Sequence, residues 1–142
     1  MLFGKRERRI SRILIVEDEP LVAFDNENML QDADYDVVAT VDSYADAAAV
    51  IEAAEIHLIL TDLNLAGDGN GMDVARAAGA KGIPVLFVTG HCTEDAKALA
   101  VGCLSKPYSE RVLLGALTAI DDHLQGKDVG NLPAELVLYA QA

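Results

Sequence analysis

Five short apolar runs alternate with stretches of helical periodicity between Arg12 and Leu124, and this regular alternation constrains the fold more than any other feature. Arg12-Ile13-Leu14-Ile15-Val16 has the β-branched character of a strand covered on both faces. Glu17-Asp18-Glu19 follows, then Pro20, which suits the first position of a helix, so Pro20–Asp32 reads as helix one. Tyr35–Val41 is strand two. Ser43 caps helix two, whose Tyr44, Ala47, Ala48 and Ile51 fall on one face. His57–Thr61 is strand three, and Gly67, Gly69 and Gly71 punctuate the loop after it. Met72–Ala80 is helix three, ended by Gly79 and Gly82. Ile83–Thr89 is strand four, Thr93–Ala100 a short helix four, and Gly102–Ser105 strand five. Ser109 caps helix five, which buries Leu113, Ala116, Leu117, Ile120 and Leu124. Buried strands joined by helices predict an α/β domain with a parallel sheet and helices on both faces.

The 142 residues fit one domain, and with 51% hydrophobic but 5% aromatic residues the core must be aliphatic. The formal charge is −12 and unevenly placed. Five of the 11 basic residues (Lys5, Arg6, Arg8, Arg9, Arg12) and one of the 23 acidic residues (Glu7) lie in the first twelve positions. The remainder, with 6 basic against 22 acidic residues, repels nucleic acid and anionic membrane. Residues 1–11 read as a basic, solvated leader, 12–124 as the domain, and 125–142 as a tail. The tail is expected either to fold back on the domain or to bind a partner. Cys92 and Cys103 show no metal-ligand spacing and read as reduced thiols of a cytoplasmic protein. No apolar run approaches the roughly 18 residues of a membrane span.

In a parallel sheet, strands one, three, four and five bring their carboxyl ends to one edge, where open α/β sheets bind ligands. Glu17, Asp18, Asp62, Thr89 and Lys106 occupy those ends. Each alone has a structural explanation, as a dipole partner, a cap or a surface charge. Their convergence at the ends of several strands points instead to a site. Several carboxylates in one pocket persist when a cation neutralises them. Oxygen donors without imidazole or thiolate select a hard ion, Mg²⁺ or Mn²⁺. Asp62 can then attack phosphorus to form an acyl phosphate, with Lys106 and the Thr89 hydroxyl opposing the oxygen charge.

Ile13-Leu14-Ile15-Val16-Glu17-Asp18-Glu19-Pro20, Leu60-Thr61-Asp62-Leu63-Asn64-Leu65, Phe87-Val88-Thr89-Gly90 and Ser105-Lys106-Pro107-Tyr108 occur in that order. Together they resemble the receiver domain of two-component response regulators, from about Arg12 to Leu124. The resemblance implies a flavodoxin-like, doubly wound, five-stranded sheet of order 2-1-3-4-5. It implies phosphorylation of Asp62 by a sensor histidine kinase or histidine phosphotransfer protein. Asp18, Asp62 and the backbone carbonyl of Asn64 would be metal ligands, with Glu17 assisting, and Thr89 and Lys106 would be the switch pair. Phe87-Val88-Thr89-Gly90 is further similar to a Phe-Ala-Thr-Gly subgroup of stand-alone receivers, with Val88 in place of Ala. The family usually has an aromatic residue three positions before its lysine, where Cys103 stands here.

A single-domain regulator of this kind would signal by protein contact or onward phosphoryl transfer. The output surface is expected on helix four, strand five and helix five, with Cys103 and Tyr108 on it. The segment His91–Ser105 is expected to be the mobile element. Two other readings compete. A Mg²⁺-dependent phosphatase using an aspartyl phosphate normally needs an acid where Asn64 stands. A phosphorylation-independent scaffold would not need Glu17, Asp18, Asp62, Thr89 and Lys106 together.

Overall fold

The computed structural model describes residues 8–139. Its centre is a six-stranded sheet of order β2-β1-β3-β4-β5-β6. The strands are β1 (Arg12–Val16), β2 (Asp36–Val41), β3 (Leu58–Asp62), β4 (Val85–Thr89), β5 (Gly102–Ser105) and β6 (Leu136–Leu138). The first five are parallel, and β6 pairs antiparallel to β5. The expected 2-1-3-4-5 order is therefore present, with one strand added at its far edge. The helices are α1 (Pro20–Asp32), α2 (Tyr44–Ala53), α3 (Gly71–Ala80) and α4 (Glu110–Leu124). Where helix four was expected over Thr93–Ala100 there is one 3₁₀ turn, Glu94–Ala98.

Strand side chains alternate between two separate cores, as the period of two requires. Ile13 and Ile15, Leu58 and Leu60, and Leu86 and Val88 point to one side, where Leu30 of α1 and Leu113, Leu117 and Ile120 of α4 cover them. Leu14 and Val16, Ile59, and Val85 and Phe87 point to the other side, against Ala47 and Ile51 of α2 and Val74, Ala75 and Ala78 of α3. A central strand buried on both faces reads as an unbroken apolar run, which explains the composition of β1, β3 and β4.

The helix starts follow local chemistry. Pro20 occupies the first turn of α1. The Ser43 hydroxyl accepts from the Asp46 amide at 3.2 Å, and the Ser109 hydroxyl from the Val112 amide at 3.2 Å. Asn70 and Asp73 form a reciprocal capping box at α3.

The amino-terminal end departs from expectation, whereas the tail takes the first of its two expected courses. Residues 1–7 of the basic leader lie outside the described residues, but the part after them is docked rather than solvated. The Arg8 guanidinium sits 4.1 Å above the Tyr35 ring. The Arg9 and Ile10 amides donate to the buried carboxylate of Asp121, and Ile10 is itself buried. At the other end, the tail folds back. Gly102 makes room for β6, because a Cβ there would lie 2.7 Å from the Val137 carbonyl oxygen. Leu136 and Tyr139 then bury against opposite cores. Cys92 and Cys103, expected as free thiols, form a disulfide. Spatial proximity decides such a pairing, and the linear spacing did not reveal it.

Candidate functional site

The strand ends converge as a parallel sheet demands. Glu17 follows β1, Asp62 ends β3, Thr89 ends β4, and Lys106 follows β5. Two backbone bonds fix the edge: the Glu17 amide donates to the Val41 carbonyl at 2.9 Å and the Lys106 amide to the Thr89 carbonyl at 2.8 Å.

Lys106 spans the cluster. Its Nζ donates to Asp62 Oδ2 at 2.9 Å and to Glu17 Oε1 at 2.9 Å. The remaining oxygens are also held: Asp62 Oδ1 accepts from the Asn64 amide at 3.1 Å, and Glu17 Oε2 from the Glu19 amide at 3.1 Å. Burial works against the charged ammonium, but the hydrogen bonds and negative charges of Asp62 and Glu17 outweigh it. Lys106 is thereby held above the ordinary lysine value.

Glu17, Asp18 and Asp62 each offer a carboxylate oxygen, and the three oxygens lie within 4.8 Å of one another. One ammonium offsets one of three negative charges, so a divalent cation would balance the rest. The donor set is oxygen only, which fits a hard ion of the Mg²⁺ type and not a thiolate- or imidazole-loving metal. A shallow acidic depression continues from Glu17 and Asp18 to Asp42 and Asp46.

Other expected residues are placed as follows. Thr89 is buried at the edge, and its hydroxyl accepts from the His91 amide at 3.4 Å. Asn64 stands beside Asp62 through its own amide. Tyr108 leans away from the carboxylates toward α1, where its hydroxyl donates to Asn26 Oδ1 at 3.0 Å. Burial raises the Tyr108 phenol above its ordinary value, against the pull of the Asn26 bond. Val22, Asn26 and Met29 of α1 form a small groove with Lys106, Pro107 and Tyr108, and the Lys106–Pro107 peptide is cis. Cys103 was expected on an output surface, but it is fully buried within β5 and bonded to Cys92. Strand side chains project from the sheet face, and the face that carries Cys103 is covered by a core that includes Ala96, Ala100 and Tyr139, so its side chain does not reach a partner.

Two positions that build the site were not singled out from sequence. Gly71 opens α3 directly against the Asp62 backbone, with its amide bonded to the Leu63 carbonyl at 2.9 Å. The last glycine before a helical run was the available signal. Asn26 is buried in α1, an unusual place for an amide unless it has a partner.

Residues 13–118 match the family profile of the response regulator receiver domain. SdrG from Sphingomonas melonis Fr1, known from a solution structure, is 35% identical with a TM-score of 0.67, over 78% of this chain and 96% of that one. The receiver domain of the sensor histidine kinase PA1611 from Pseudomonas aeruginosa PAO1 was crystallised with magnesium coordinated in its active site cleft. It is 24% identical with a TM-score of 0.67, over 77% of this chain and 95% of that one, a likeness of fold. The phyllosphere-induced regulator PhyR of Methylorubrum extorquens is 31% identical over 83 residues. That alignment covers 57% of this chain and 31% of PhyR, so the chain spans under a third of that relative.

Proposed function

The chain belongs to the response regulator receiver domain family, and we propose from that premise that Asp62 accepts a phosphoryl group in a two-component signalling pathway. The observation that carries this reading is the contact of Lys106 with both Asp62 and Glu17 at 2.9 Å, beside the three-carboxylate cluster. A carboxylate at a strand end, with a fixed cation on one side and spare acidic ligands on the other, is equipped for phosphoryl transfer.

The phosphodonor is a phosphohistidine on a sensor histidine kinase or a histidine phosphotransfer protein. An Asp62 carboxylate oxygen attacks phosphorus and forms the new O–P bond. The donor's P–N bond breaks, and its electron pair stays on the imidazole. The Asn64 amide, bonded to Oδ1, orients the nucleophile. Lys106 moves from the carboxylate to a phosphoryl oxygen, and the Thr89 hydroxyl takes another. Asp18, Asp62 and the Asn64 carbonyl, with Glu17 assisting, would hold Mg²⁺ or Mn²⁺. When bound, that ion supplies charge neutralisation for the phosphoryl oxygens. Signal output is a protein contact or onward transfer, and the acidic body disfavours nucleic acid and anionic membrane as partners. No helix among the described residues is long and apolar enough to cross a membrane, in keeping with a cytoplasmic setting.

The test is incubation with acetyl phosphate and Mg²⁺, reading intact mass for wild type and Asp62→Asn. A gain of one phosphoryl group in wild type alone is the expected result. Continuous phosphate release would favour a phosphatase, and no gain in wild type would favour a scaffold.

A further inference from the structure

The Cys92–Cys103 disulfide spans a sequence separation of 11. The ring it closes contains the whole 3₁₀ turn, Glu94–Ala98. Its two sulfurs have different surroundings. Cys103 is fully buried in β5, opposite Phe87 of β4 and Val137 of β6. Cys92 is partly exposed in the loop three residues beyond Thr89, with its Sγ 3.8 Å from Ser105 Oγ. The bridge therefore fastens the loop that leaves Thr89 to the strand that leads into Lys106. Beyond Ala100 the Val101 amide is fixed to the Val85 carbonyl at 2.9 Å, but between Thr93 and Ala100 the backbone bonds are short in reach. The Ala96 amide donates to Thr93 at 3.2 Å and the Leu99 amide to Ala96 at 3.1 Å. Ala96, Leu99 and Ala100 supply modest apolar contact.

We propose that Cys92–Cys103 is a thiol-exchange site, at which a dithiol reductant frees the segment between Thr89 and β5. A thiolate of the reductant attacks Sγ of Cys92, the less buried of the two residues. A bond forms between the reductant and Cys92, the Cys92–Cys103 bond breaks, and Cys103 leaves as a thiolate and takes a proton from solvent. The second thiol of the reductant then attacks its own sulfur in the mixed disulfide. Cys92 is released as a thiolate and is protonated in turn. The dithiol loses two electrons and becomes a disulfide, while the protein disulfide gains two electrons and becomes two thiols. Opening the ring restores conformational freedom to residues 93–100. The consequence for Thr89 rests on the function proposed above, whereas the exchange itself does not.

The test uses the full chain equilibrated with glutathione disulfide or with excess dithiothreitol. Thiols are alkylated after denaturation and counted by intact mass, and hydrogen exchange is followed in each native state. The oxidised protein should take up no alkyl group and the reduced protein two. Amides of residues 91–100 should exchange about tenfold faster after reduction, with β1 and β3 unchanged. The variant carrying Cys92→Ser and Cys103→Ser should exchange at the reduced rate in both buffers. Under brief native labelling with a maleimide, the reduced protein should react at Cys92 before Cys103. Two alkylatable thiols after oxidation, or equal exchange in both states, would overturn the proposal. None of these readouts depends on Asp62 taking a phosphoryl group.

Discussion

A Cβ placed on Gly71 would lie 2.1 Å from the carbonyl oxygen of Asp62, so α3 begins in backbone contact with the end of β3. No side chain fits there, and Gly71→Ala must push the two elements apart. The expected cost is about 2 kcal/mol or more in urea unfolding, with slowed phosphoryl uptake because Asp62 moves. Gly79→Ala, in the same helix with open space at its Cβ, is the control. That change should stabilise by about 0.5 kcal/mol. Equal effects at the two positions would show that the contact at Asp62 does not matter.

Lys106 holds oxygens of Asp62 and Glu17 that a bound cation would also draw on. Lys106→Met should therefore raise Mg²⁺ affinity, about tenfold in a calorimetric titration, since one positive charge leaves an acidic pocket. Phosphoryl uptake from acetyl phosphate should fall about a hundredfold, because a donor to the transferring group is lost. Weaker Mg²⁺ binding in the variant would contradict the competition.

Tyr108 and Asn26 tie the chain beyond β5 to α1. Tyr108→Phe should cost about 1 kcal/mol or more, because it leaves the buried Asn26 side-chain oxygen without its donor. The pH dependence follows from burial, which raises the folded-state phenol above the ordinary tyrosine value of 10.0. The Tyr108 contribution is fully present below that value and is lost as pH rises through the higher folded one. Wild type should lose stability more steeply than Tyr108→Phe in alkaline denaturation. Parallel curves would place the phenol in water.

The 3₁₀ turn and the residues on either side of it up to Ala100 are thinly anchored, which marks residues 91–100 as the segment a phosphoryl group at Asp62 would bias. In the reduced protein, beryllofluoride with Mg²⁺ should change hydrogen exchange there by about threefold or more, leaving the interior of α2 unaltered. No change between His91 and Ala100 would assign the response to another element.

The parallel strands and the site carboxylates were readable because each depends on local pattern. A strand buried on both faces must be apolar throughout, and a charge that interrupts it must stand at its end, as Asp62 does. What sequence concealed depends on residues distant in the chain. Ala96–Ala100 has high helix propensity, yet the short ring between Cys92 and β5 leaves room for one turn. Leu136–Leu138 is too short to declare a strand, and its pairing follows from the missing side chain at Gly102. Arg9 and Ile10 looked like part of a solvated leader because their partner, Asp121, is more than a hundred residues away.

The added β6 changes which hydrogen-bonding rim the sheet offers to other chains. With Leu136–Leu138 in place, the amides and carbonyls of Gly102–Leu104 are engaged on both sides. A visiting strand would meet three residues, the middle one the exposed Val137, instead of a longer apolar ribbon. So short a border is a poor template for runaway strand-to-strand association. Cutting the chain after Gly130 would strip this cover and convert a quiet margin into an adhesive one.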